Sequence, residues 1–233
     1  MHLFYQPLLK NGQFQLETEE ARHCNQVLRH QKGDRIWVTD GKGTLAEVKI
    51  IELTKRTVNF TILRGEFRPK KSFHHHLAIA PTKNLDRMEW MVEKAAEMQV
   101  DEITFLLCQN SERRKLRMDR LEKKVISAMK QSKSAYKTTL HDIIAFEKFI
   151  EKPTGESEKY IAVVDPENKH IGDELSSNRN ICTLIGPEGD FSPSEIDLAR
   201  KNGYRSVSLG TPTLRTETAG LLVLSQVNFI NRF

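Results

Sequence analysis

The spacing of apolar residues changes near residue 72, and the two stretches imply different local structure. Before it, short alternating runs dominate. Arg35-Ile36-Trp37-Val38-Thr39 alternates polar and apolar side chains and is followed by Asp40-Gly41, a turn signal. Further strands are predicted over 45–53 and 57–63. One short helix is predicted over 19–30, with Ala21, Cys24, Val27 and Leu28 on one side. Short strands separated by turns suggest a small barrel. The segment 65–72 (GEFRPKKS) combines Gly, Pro and charges, and the domain boundary is placed there.

Beyond it the apolar period lengthens, and strands alternate with helices. Strands are predicted over 77–80, 102–108, 160–164, 181–185 and 206–209. Helices are predicted over 84–98, with Leu85, Met88, Val92 and Ala95 at helical spacing, and over 119–132, 142–150 and 216–231. Ser192-Pro193-Ser194-Glu195 carries the S-x-x-E capping pattern with Pro at the first helical position, and Asn202-Gly203 ends that helix. This rhythm predicts an α/β domain with a parallel sheet and ligand chemistry at the C-terminal ends of its strands. Trp37 and Trp90 fall in apolar-patterned segments and are expected in the core.

Composition narrows the class. The 233 residues are 38% hydrophobic and 29% charged, the balance of a soluble globular chain. No run of about 18 apolar residues predicts a transmembrane helix, and the first ten residues lack the pattern of a signal peptide. Cys24, Cys108 and Cys182 are widely separated, with no C-x-x-C pair. A disulfide framework and a cysteine zinc site are therefore not expected, and a reducing, cytoplasmic setting is. His74-His75-His76 precedes a strand, where side chains diverge, so no metal site is expected.

The net charge of +5 conceals a pattern. Residues 1–72 carry +5, 73–108 carry −3, 109–137 carry +7 and 138–233 carry −4. Ten cations against three anions over 109–137 point to a polyanionic partner.

Two glycine-bearing loops follow predicted strands: Gly186-Pro187-Glu188-Gly189-Asp190-Phe191-Ser192, and Gly210-Thr211-Pro212-Thr213-Leu214-Arg215-Thr216-Glu217-Thr218-Ala219. Each runs from a strand end into a helix start, where backbone approaches a ligand closely. Neither the phosphate-binding G-x-x-x-x-G-K-[ST] nor the dinucleotide G-x-G-x-x-G pattern occurs.

The pair GPEG-x-FS and LG-x-x-x-LR-x-ETA resembles the hallmark of the RsmE family, the 16S rRNA uridine N3-methyltransferases of the SPOUT superfamily. Further matches lie upstream: His23 with Val27-Leu28-Arg29 and Gly33-Asp34; Lys83 with Arg87-Met88-Glu89, Lys94-Ala95 and Glu97; and Ala128 with Gln131-Ser132. The resemblance spans nearly the whole chain. It implies a PUA-like β-barrel over 1–70 that helps hold RNA. It also implies a SPOUT methyltransferase domain over 73–233, with a C-terminal trefoil knot and an S-adenosylmethionine site in about 181–225. A homodimer and a 16S rRNA or small-subunit substrate follow from it too. The chain departs from the pattern at Asp190, where the family usually has a second Gly, and at Ser134, where it often has Arg.

The resemblance implies that Leu184, Gly186, Glu188, Gly189, Leu209, Gly210 and Leu214 line the methyl donor. Removing the proton at uridine N3 leaves negative charge on the ring, which a fixed cation stabilises. Arg215, the cation of LR-x-ETA, is the candidate catalytic residue; an ion pair to Glu188 or Glu217 is its alternative use. Arg22, His23, Arg29, Lys32, Lys83, Arg87, Arg113, Arg114 and Arg117 are the candidate RNA contacts. The competing readings are methylation of another RNA base or ribose by the same fold, and a non-catalytic RNA-binding protein of ribosome assembly.

Overall fold

A computed structural model describes residues 2–152, 155–165 and 167–233. They form two compact units, one built from residues up to 70 with 126–137, the other from 71–125 with 138–233. The sequence places 126–137 in the second domain, so its membership of the first unit is a correction. The physical reason is local pairing: Gly43 N–H donates to the Ala135 carbonyl and Lys137 N–H to the Gly41 carbonyl, both at 2.9 Å. Gly43 has φ 105°, and a Cβ there would lie 2.5 Å from the Tyr136 hydroxyl, so the position requires glycine.

The first unit holds one sheet of β1 (Leu3–Tyr5), β2 (Gln15–Glu17), β3 (Arg35–Thr39), β4 (Thr44–Leu53) and β5 (Thr57–Phe67), in the order β1-β3-β4-β5-β2. Only the β1–β3 pair is parallel. Phe4, Leu16, Ile36, Val38, Ile50 and Phe60 fill its core. The helix predicted over 19–30 is two pieces. The first, α1 (Thr18–Arg22), runs into a π-helical turn, His23–Val27, closed by Leu28 N–H donating to the His23 carbonyl at 3.0 Å. The wider turn keeps Ala21 and Cys24 buried and rotates Val27 out to solvent.

The second unit is a six-stranded parallel sheet: β6 (His75–Ile79), β7 (Glu102–Leu107), β8 (Thr139–Ala145), β9 (Glu158–Ala162), β10 (Ile181–Ile185) and β11 (Arg205–Val207), in the order β11-β9-β10-β6-β7-β8. Its helices are α2 (Leu85–Glu97), α3 (Met118–Gln131, ending in the first unit), α4 (Phe146–Ile150), α5 (Ile171–Glu174), α6 (Pro193–Lys201) and α7 (Thr216–Ile230). The central strands β6 and β10 are buried along their whole length, as parallel strands covered on both faces must be. Asn84 caps α2 by accepting the Asp86 N–H at 2.8 Å, and Ser192 with Glu195 forms a full capping box on α6.

Two further expectations change. Of the helix predicted over 142–150, only 146–150 is helical, as α4; residues 142–145 belong to the edge strand β8, because pairing with β7 decides the conformation of a segment with weak local preference. Trp90 is 48% exposed on α2, so it is not a core residue. The histidine tract is satisfied by separate partners: His74 by Glu102 at 3.0 Å, His75 by Thr183 at 2.9 Å and His76 by Thr104 at 2.7 Å. Among the described residues no helix is long and apolar enough to cross a membrane.

Candidate active site

The site forms where β9 and β10 end. After Ile185 the chain turns through Gly186 to Asp190. Asp190 adopts φ 59°, a left-handed conformation that Asp accepts better than most residues. Its N–H donates to the Pro187 carbonyl at 2.9 Å, and its Oδ1 accepts the Phe191 N–H at 2.7 Å. Asn110 Nδ2 holds the same loop from outside, donating to the carbonyls of Gly189 and Asp190, each at 3.0 Å. Gly186 is packed tightly: a Cβ there would stand 3.1 Å from the Phe191 ring.

The second loop follows β11 and passes through Gly210, at φ 113°, into α7. Thr216, in the first turn of α7, donates from Oγ1 to the Gly186 carbonyl at 3.0 Å, a buried bond that ties the two loops together. Between them lies a cleft. Of the predicted donor-binding residues, Gly186, Glu188, Leu209, Gly210 and Leu214 line it together.

Two predicted residues do not line it. Leu184 is fully buried, packed in the core with Phe191 and Ala78, because alternate strand residues face opposite sides and Ile185 takes the cleft side. Gly189 faces Asn110 outside the cleft. The sequence reading missed Ala162, Val163 and Val164 at the end of β9, as well as Asp190, Thr216 and Ala219. The signal for the first three was the apolar run 160–164, whose adjacency to β10 only the sheet order reveals.

The charged groups divide by partner. Glu188 accepts the Lys83 N–H at 3.0 Å. Glu217, buried in the first turn of α7, pairs with Arg87 Nε at 3.7 Å. Neither carboxylate pairs with Arg215, which stands exposed at the N-cap of α7 between the lining residues Leu214 and Thr216. Arg113 is a fastener: its Nε donates to the carbonyls of Thr82 and Lys83 at 3.2 and 3.1 Å, which holds the segment that meets Glu188. Lys83 pairs with Glu112 at 2.8 Å and Arg117 with Asp119 at 3.0 Å. Part of the +7 zone is thus neutralised by α2, where Glu89 meets Arg120 at 3.5 Å and Glu93 meets Lys124 at 3.4 Å. Arg114 is exposed.

In the first unit Arg22, Arg29 and Lys32 are exposed, while His23 is half-buried with its ring 5.9 Å from that of Phe4. Burial and the nearby Lys130 lower the His23 pKa. The three cysteines are buried thiols. Burial raises Cys24 to about 11 and Cys182 to about 12, and pushes Cys108 up as well, so none is a ready nucleophile.

Fold and cleft define an α/β protein with a cleft between two strand-to-helix loops, joined to a small β unit. A sequence model of the RNA methyltransferase domain matches residues 69–228, and one of the RNA methyltransferase PUA domain matches residues 16–63. The crystal structure of a probable rRNA methyltransferase from Porphyromonas gingivalis is 37% identical, with TM-score 0.93, covering 100% of this chain and 99% of its own. The ribosomal RNA small subunit methyltransferase E of Neisseria gonorrhoeae, solved bound to S-adenosylmethionine, is 27% identical, with TM-score 0.88, covering 99% and 98%. The enzyme of the same name from Aquifex aeolicus is 26% identical, covering 97% of this chain and 98% of its own. The chain belongs to the RNA methyltransferase family, in agreement with its resemblance to the RsmE enzymes.

Proposed function

We propose that this protein transfers a methyl group from S-adenosylmethionine to N3 of a uridine in 16S rRNA, with the assembled small ribosomal subunit as substrate. The observation that carries this reading is the single cleft shared by the two hallmark loops and tied by Thr216 to Gly186.

The lining suits the donor. Gly186 and Gly210 bring backbone close to a flat base, while Ile185, Leu209 and Leu214 supply apolar walls. Glu188 and Asp190 suit its ammonium group and ribose hydroxyls, and the first turn of α7 suits its carboxylate. Bound, the donor supplies an activated methyl group for in-line displacement, so the protein's task is alignment. Arg215 stabilises the negative charge that spreads over the uracil ring as N3 loses its proton. That proton leaves to solvent, because Glu217 is engaged by Arg87 and Glu188 by the Lys83 N–H. The target uridine must unstack, at a cost of a few kcal/mol, which contacts to exposed cations such as Arg22, Arg29, Lys32 and Arg114 offset.

The same reading includes a PUA-like barrel in the first unit, a trefoil knot around the cleft, a homodimer and a cytoplasmic location. The knot rests on the resemblance of the two hallmark loops, which the Thr216–Gly186 bond brings together. The test is mass mapping of methylated nucleosides in small subunits lacking the modification, incubated with protein and S-adenosylmethionine. 3-Methyluridine at one position is expected; a 2′-O-methyl product, or none, overturns the assignment.

A further inference from the structure

A second cavity, of about 270 Å³, lies wholly within the first unit, where the N-terminal strand meets the end of α3. It is lined by His2, His23, Ser127, Lys130, Gln131 and Lys133, with Leu3 as its one apolar residue. All six polar side chains can donate hydrogen bonds, and no carboxylate lines the cavity. Glu20 pairs with Lys130 and accepts the Tyr5 N–H at 3.1 Å, which fixes Lys130 in place. The charge of Lys133 is added to that pair.

Lys133 has an unusual backbone. The last turn of α3 closes with Ser134 N–H donating to the Met129 carbonyl at 3.0 Å and Lys133 N–H donating to the Lys130 carbonyl at 3.2 Å. This puts Lys133 at φ 57°, in the left-handed position that ends a helix. Glycine is the residue best suited there, because it has no Cβ to clash. The lysine at this position keeps an ammonium group at the cavity. His2 and His23 also line it, steadied by ring contacts: His2 to His30 at 5.7 Å and His23 to Phe4 at 5.9 Å.

We infer that this cavity binds one backbone phosphate of the RNA substrate, with Lys133, Lys130, His2 and His23 as its donors. The inference rests on the RNA-methyltransferase reading and adds an RNA contact remote in sequence from both hallmark loops. Lys133 and His2 are both exposed, so the double variant Lys133→Gln/His2→Gln leaves the core untouched.

The experiment measures affinity for 16S rRNA from about 50 to 300 mM salt, with S-adenosylmethionine calorimetry on the same preparations. Expected is a several-fold loss of RNA affinity and a salt slope shallower by about 0.7–0.9, the loss of one phosphate contact, with donor binding unchanged. An unchanged slope with normal donor binding overturns the phosphate site alone. Failure of the wild-type protein to bind RNA or donor overturns the underlying reading as well. Inorganic phosphate, titrated against the His2 and His23 ring resonances, separates the sources: shifts with phosphate but an unchanged RNA slope identify a free-anion site and overturn the RNA assignment.

Discussion

Thr216 Oγ1 reaches the Gly186 carbonyl at 3.0 Å, so the first turn of α7 is fastened to the first residue of the loop after β10. A buried carbonyl that loses a hydrogen-bond donor costs about 1–3 kcal/mol. Thr216→Val is therefore expected to lower stability by that amount and to weaken S-adenosylmethionine binding, while Thr216→Ser retains both. Urea unfolding and calorimetry check it.

Arg215 makes no ion pair among the described residues, although two carboxylates lie in the same loops. Arg215→Ala is expected to bind the methyl donor normally and to lose about 10²-fold or more in single-turnover methylation, the scale seen when one preorganised donor to a developing anion is removed. A turnover within threefold of wild type would show that the charge is stabilised elsewhere.

Neighbouring arginines separate by role. Arg113 grips the carbonyls of Thr82 and Lys83, and Lys83 in turn donates to Glu188 of the cleft. Arg113→Ala is expected to reduce donor affinity several-fold. Arg114→Ala is expected to leave donor affinity alone and to reduce RNA affinity and its salt slope by about one contact. Calorimetry and salt-dependent RNA binding, run on both variants, distinguish them.

Arg87 is the partner of the buried Glu217. Arg87→Ala strands that carboxylate, at a cost of about 1–3 kcal/mol. The melting temperature should fall while the salt slope of RNA binding stays at the wild-type value. A reduced slope with unchanged stability would return Arg87 to the RNA surface.

Glu102 lies between His74, at 3.0 Å, and His141, at 2.7 Å. The hydrogen bond from His74 is the largest cause that lowers its pKa to about 2 from an ordinary 4.5. A folded-state pKa below the unfolded one stabilises the fold above the unfolded value, and that stability is lost as pH falls through the folded value. The stability advantage of wild type over Glu102→Gln should thus be full at pH 6 and decline between about 4.5 and 2. Urea midpoints across that range give the measurement.

The sequence carried much of this. A buried parallel strand must be apolar on both faces, so 181–185 was legible without its neighbours. The Ser192 capping box and the helix of 216–230 are set by local hydrogen bonding and periodicity, which a linear pattern records. Gly186, Glu188, Leu209, Gly210 and Leu214 were readable as a pair of loops because strand-to-helix turns with glycines are local features.

Other features depended on partners distant in the chain. The edge strand β8 needed β7 beside it, and the π turn at His23–Val27 answers to packing against the sheet. Leu184 and Ile185 are equally apolar, and only their facing in the folded strand sends one to the core and the other to the cleft. Charge counting gave 109–137 as one basic zone, yet Glu89 and Glu93 of α2 neutralise part of it and 126–137 joins the first unit. Local periodicity and capping were therefore set by the sequence itself. Which carboxylate meets which cation, and which face meets the cleft, was decided by tertiary structure, because both depend on distances between residues far apart in the chain.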